Sequence, residues 1–164
     1  MARGLKFIGI FFVFLFTGVL IAGVVAGNLE IKKDIPSSLN NEETWKQISD
    51  TANLKVWISH LQRIAPGEIE GTYKIYLHTG KPQAAVMDLL PMADSTKRTM
   101  QYRISNKGSE LNVFFKVLDK KVAVSYTVEG KGTANKIVLA MLRKSLKDQY
   151  NKEMQRIEQL LNNQ

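Results

Sequence analysis

The chain offers few side chains whose type and spacing could do chemistry. Its 164 residues include no cysteine and two histidines, His60 and His78. Without cysteine there is no disulfide framework, no thiolate nucleophile and no Cys-ligated zinc or iron–sulfur centre. Neither histidine has a second one three or four residues away, the spacing that sets two imidazoles on one helix face for a metal. The carboxylate pairs Glu42/Glu43 and Glu68/Glu70 fall at an expected helix start and along one strand face, where dipole stabilisation and solvation account for them without a general acid. Ser49-Asp50 and Ser125 lack a neighbouring base in sequence, Asp50 reads as a cap at a helix end, and neither a Gly-x-Ser-x-Gly elbow nor a phosphate-cradling glycine loop occurs. Asp88 with Tyr102 or Tyr126 would form an acid/base pair only if the fold brought them to one cavity. This inventory contains no catalytic set, no metal site and no cofactor site, and it points to binding over catalysis.

The elements that must position these groups are preceded by an uncharged run from Phe7 to Gly27, FIGIFFVFLFTGVLIAGVVAG. A mean hydropathy of -0.14 averages this run with a more polar remainder. About 20 apolar residues in a helix span a hydrocarbon core of roughly 30 Å. Residues 1–27 therefore read as a single-pass transmembrane anchor. Arg3, Lys6 and the small residues Val24-Val25-Ala26 also fit a cleaved signal, whose apolar region is usually shorter, about 7 to 15 residues. Basic residues on the two sides, Arg3 and Lys6 against Lys32 and Lys33, nearly balance, and the favoured orientation puts the domain outside the cytoplasm. The remaining domain, residues 28–164, keeps most of the formal charge of +8. The densest basic group on the terminal helix, Arg143-Lys144 with Lys147, fits a solvated basic face or, beside a bilayer, contact with anionic lipid head groups, and the chain lacks the aromatic-basic platform that nucleic acid would need.

Periodicity orders the domain. Leu29 to Ile35 alternates weakly and predicts a first strand. Asn40 or Asn41 then caps a helix whose first turn holds Glu42 and Glu43 and whose apolar side is Trp45 and Ile48. Leu54, Trp57, Ile58, Leu61 and Ile64 recur at helical spacing and predict a second short helix, closed by Ala65-Pro66-Gly67. From Glu68 to Glu129 the period is two, giving an antiparallel meander of about five strands around Tyr73–Leu77, Gln83–Pro91, Thr99–Ser105, Leu111–Val117 and Val122–Val128. Gly130-Lys131-Gly132-Thr133 ends it, and apolar residues from Ile137 to Leu161 mark one terminal helix of about 28 residues. A sheet with one apolar face and a helix with one apolar stripe bury each other, so the expected fold is α+β, with a curved antiparallel sheet and two short helices wrapping a long C-terminal helix.

This order, with Glu43-Thr44-Trp45-Lys46-Gln47-Ile48-Ser49-Asp50, then Asn53-Leu54 and Trp57, and with Gly130-Lys131-Gly132, Ala134 and Lys136-Ile137 leading into the last helix, resembles the START-like or helix-grip superfamily. It is similar in particular to the membrane-anchored SRPBCC branch of polyketide cyclase/dehydrase-like proteins. The resemblance covers roughly residues 29 to 161. It departs from the family in a longer loop around Asn40-Asn41 and in six expected strands where seven are usual. It implies a hydrophobic cavity between sheet and terminal helix, used for lipids, sterols or polyketides and sometimes for catalysis. Trp57, Tyr73, Met100, Tyr102, Phe115, Tyr126 and Met141, each on an inward face by period, are the candidate lining residues. Tyr102 and Tyr126 stand out because a buried hydroxyl requires a partner. The expected function is membrane-anchored binding of a hydrophobic small molecule or lipid, with a cyclase- or hydratase-type enzyme and a partner-binding module with a vestigial cavity as the alternatives.

Overall fold

The structure, a computed structural model, describes residues 28–78, 80 and 82–162; the expected anchor over 1–27 lies outside the described residues. Among the described residues no helix is long and apolar enough to cross a membrane. The first strand β1 (Asn28–Pro36) leads to helix α1 (Asn41–Ser49), a 3-10 turn (Thr51–Asn53) and the one-turn helix α2 (Leu54–Trp57). Six strands follow: β2 (Leu61–Pro66), β3 (Tyr73–Leu77), β4 (Ala85–Asp94), β5 (Thr99–Ser105), β6 (Ser109–Leu118) and β7 (Lys121–Gly130). Helix α3 (Thr133–Asn162) completes the chain. All strand pairs are antiparallel, in the order β1-β7-β6-β5-β4-β3-β2.

Alternation explains the faces. Met100, Tyr102 and Ile104 of β5, Val113, Phe115 and Val117 of β6, and Val122, Val124, Tyr126 and Val128 of β7 are buried, while Arg103, Phe114 and Lys116 are exposed on the other face. Asn40 caps α1: its side-chain oxygen accepts the N–H groups of Glu42 and Glu43 at 3.0 and 2.9 Å, satisfying donors that a helix start leaves unpaired. Asp50 caps the following 3-10 turn by accepting the Ala52 N–H at 2.8 Å.

The second helix departs from the expectation. It stops at Trp57, and Leu61–Pro66 is an edge strand paired with β3, which raises the count from six strands to seven. The chain leaves the helix at Ile58, which is extended at φ -70° and ψ 120°, and His60, left-handed at φ 64°, then turns it into the strand. Its carbonyl then accepts the His78 N–H at 2.8 Å, starting the pairing with β3. Leu61 and Ile64 satisfied a helical spacing only because a stretch this short fits both periods.

Helix α3 lies across the apolar face and buries Leu139, Tyr150, Met154, Ile157 and Leu161. Both ends are pinned. At the far end the Asn162 amide donates to the Pro36 carbonyl at 3.0 Å and its oxygen accepts the Ser38 N–H at 2.9 Å; Lys33 and Glu158 pair at 2.8 Å beside them. At the near end β7 touches the first helical turn directly, since a Cβ on Gly130 would come within 2.8 Å of the Asn135 carbonyl carbon and the Lys136 nitrogen. Gly132, at φ 80°, makes the turn between them. Backbone cannot yield to a methyl group as a side-chain tip can. Gly130→Ala is therefore expected to destabilise the fold by about 1–3 kcal/mol, the usual cost of overpacking, as a lowered urea midpoint with an unchanged slope.

Candidate functional site

A cavity of about 370 Å³ opens between the sheet and the first half of α3. Ile75, Met87, Ile104, Leu111, Val113 and Val128 form its sheet wall, and Val138, Leu139, Leu142 and Leu146 form its helix wall. Trp57 and Ile58 border it on the side of α2. Asn106, Asn135, Val138 and Leu142 are the lining residues exposed to solvent and mark the mouth. The buried end carries Tyr150, Glu153 and the partly buried Gln149.

Glu153 is the chemical surprise, a carboxyl on α3 that is only 2% exposed. Its Oε1 accepts the Ser59 N–H at 2.9 Å and the Gln149 amide at 3.2 Å. Ser59 is held in turn by Arg156, whose Nη1 donates to Oγ at 3.2 Å. Burial pushes the Glu153 pKa above its ordinary 4.5, against the bonds from Ser59 and Gln149, which favour the charged form. The Tyr126 ring stacks on Tyr150, with centroids 4.8 Å apart at 27°. Its buried hydroxyl approaches the carboxylate without closing a hydrogen bond. Burial first, and then the charge of Glu153, raise the phenol pKa of both tyrosines.

Of the seven expected lining residues, Trp57 alone is among those that border the cavity. Tyr102 and Phe115 are fully buried behind it, with ring centroids 6.0 and 5.6 Å from that of Trp57 and 6.2 Å from each other. The Tyr102 hydroxyl is satisfied within the protein, donating to the Ile48 carbonyl at 2.8 Å. Met100 and Tyr126 are core residues, and Tyr73 is half-buried on β3. Met141, which periodicity placed on the inward stripe of the helix, is 73% exposed. Asp88 is exposed, pairs with Lys74 and borders a shallow groove with Arg103, on the sheet face opposite Tyr102 and Tyr126. The acid/base pair imagined from these residues does not assemble. His60 and His78 are exposed, and no group of metal-ligating side chains occurs among the described residues.

Glu153 escaped the sequence reading because one charged residue on a thirty-residue helix resembles every other. A signal existed: it lies three residues after Tyr150 and four before Ile157, on the stripe that the apolar residues define.

No family model matches the chain, and no curated protein shows significant sequence similarity to it. Solved structures do match. The Zhui aromatase/cyclase from a Streptomyces species superposes with a TM-score of 0.55 at 9% identity, covering 80% of this chain and 94% of that one. A START superfamily protein from Mycobacterium smegmatis gives 0.53 at 9% identity, covering 81% and 98%. Ara h 8.0201 gives 0.55 at 19% identity, covering 82% and 98%. The fold is the START-like helix grip.

The raised pKa has a sign that can be measured. The folded protein holds the Glu153 proton more tightly than the unfolded chain, so this group's contribution to stability falls as pH rises above about 4.5 and levels off once the folded carboxyl has ionised. Urea unfolding of wild type and Glu153→Gln from about pH 4 to pH 8 is expected to show wild type losing ground to the variant across that range. A wild-type advantage that grows with pH would mean that the fold prefers the carboxylate.

Proposed function

We propose that this protein is a membrane-anchored helix-grip domain that binds a small hydrophobic or amphipathic ligand between the sheet and α3. The observation that carries the reading is the cavity itself: apolar walls from two layers, a solvent-facing mouth and a polar inner end. Its volume of about 370 Å³ lies toward the small end of ligand sites, which run from about 300 to 1,000 Å³. The size favours a single alkyl chain or a compact ring system over a two-chain lipid. Apolar surface moved from water onto these walls supplies affinity at about 25 cal/mol per Å² before the costs of association.

The inner end sets orientation. The Glu153 carboxyl there accepts from Ser59 and Gln149, and a carboxyl at the end of an apolar cavity suits a ligand hydroxyl or amine. A ligand carboxylate would bring its own charge to a desolvated end and would offer Glu153 no donor. The same group carries the alternative reading, a cyclase- or hydratase-type enzyme, because an acid with a raised pKa in a cavity wall is a recurrent proton acceptor. Turnover that Glu153→Gln abolishes while binding persists would favour the enzyme.

Trp57 reports on occupancy directly. The chain has two tryptophans, so Trp45→Phe leaves Trp57 as the sole emitter at the cavity. Titration with dodecanol is expected to shift its emission saturably, and dodecanoate at neutral pH is expected to bind more weakly. Val128→Phe, which fills the cavity from the sheet side, should weaken dodecanol binding at least about tenfold, equivalent to about 1.4 kcal/mol. An unchanged affinity in that variant would place the ligand elsewhere.

A further inference from the structure

Strand register fixes where the apolar amino-terminal run joins the domain. β1 begins at Asn28, the residue directly after the Phe7–Gly27 run, and Asn28 pairs with Glu129 near the end of β7. Beside it Ser109 pairs with Gly130, and the Lys131 N–H donates to the Gly108 carbonyl at 2.9 Å. The junction with the run, the β5–β6 turn and the start of α3 therefore share one end of the sheet. That end carries the cavity mouth. The β4–β5 turn lies at the other end, where Thr99 pairs with Lys116 and Val117 donates to the Arg98 carbonyl.

The surface at the mouth is apolar, and the stretch of chain that carries it is basic. Val138, Met141 and Leu142 are 51%, 73% and 48% exposed, and Val138 and Leu142 also line the cavity, so the patch runs into the opening. Residues 131–147 contain Lys131, Lys136, Arg143, Lys144 and Lys147 and no acidic residue. Three neighbouring apolar side chains left in water on one helix call for a partner. Apolar side chains set among basic ones are the composition of helices that rest in the interface of an anionic bilayer.

We propose that the first half of α3, with residues 106–109 beside it, docks on an anionic lipid bilayer and holds the cavity mouth against it. The inference rests on reading Phe7–Gly27 as a membrane anchor. A linker would let the domain stand off by up to about 3.3–3.6 Å per residue, and here the run meets β1 with no linker between them. Ligand then passes between the cavity and the acyl region of the membrane without crossing bulk water, which suits the apolar walls.

The absence of cysteine makes the test clean. Full-length Met141→Cys and, as the far-end control, Lys97→Cys are each labelled with a nitroxide in vesicles of phosphatidylcholine and phosphatidylglycerol. The label at 141 is expected to collide severalfold more with oxygen than with a polar nickel chelate, and the label at 97 is expected to show the reverse. In protein that resists alkaline carbonate extraction, equal nickel access at both sites would overturn the docking surface and leave the anchor standing. Release by carbonate would remove the anchor and this inference together, while the Trp57 titration would still test the cavity. Arg143→Glu with Lys144→Glu, both exposed, is expected to return the label at 141 to the nickel reagent without loss of carbonate resistance. Unchanged immersion would overturn the role assigned to the basic stretch.

Discussion

The structure depends on one packing constraint: a thirty-residue helix is fastened at both ends across a sheet that curves beneath it. The far end is tied by the Asn162 side chain to the backbone of Pro36 and Ser38. The near end is tied by the contact of Gly130 with the first helical turn, where there is no room for a side chain. Between these ties the second half of α3 sinks Met154, Ile157 and Leu161 into the core. The first half is held off the sheet, and the space beneath it is the cavity. The site is thus a product of how the two layers meet at their margins. A small change at the far tie, Asn162 with Pro36 and Ser38, would alter the gap without touching a lining residue.

Much of this was legible in the sequence, and the parts that were share a physical trait. The alternation through Met100–Ile104, Val113–Val117 and Val122–Val128 is strong because one face is fully buried and the other wet, so type and period agree. The capping of α1 by Asn40 and the glycine turn before α3 were readable because backbone chemistry restricts those positions to few residues. The misreading of Leu61–Pro66 arose where local pattern was too short to decide and a distant partner, β3, did. Its signal, extended backbone at Ile58 followed by a left-handed His60, has no counterpart in composition.

The site was less legible than the fold. Inward-facing aromatic residues were read as lining, yet most of them fill the layer behind the cavity, because a gap forms where side chains are too short to meet and not where rings are large. Accordingly the walls are built of Ile, Leu and Val with Met87, and the rings that line the cavity, Trp57 and Tyr150, stand at its borders. The buried acid sits among them because its neighbours supply donors: the Ser59 amide from the chain just after α2, and Gln149 one turn earlier on the same helix. Such a partnership between segments far apart in sequence is invisible until the fold joins them.

The first strand has a further consequence. Among the described residues β1 pairs only with β7, the last strand in chain order, so its register spans nearly the whole domain. Pairings across such distances form late, because the loop they close carries an entropic cost that no earlier contact offsets. On a ribosome the segment 28–36 emerges before the other described strands and must stay unpaired until β7 has followed it. During that interval Leu29, Ile31 and Ile35 are exposed, and the domain is most open to aggregation or to capture by a chaperone.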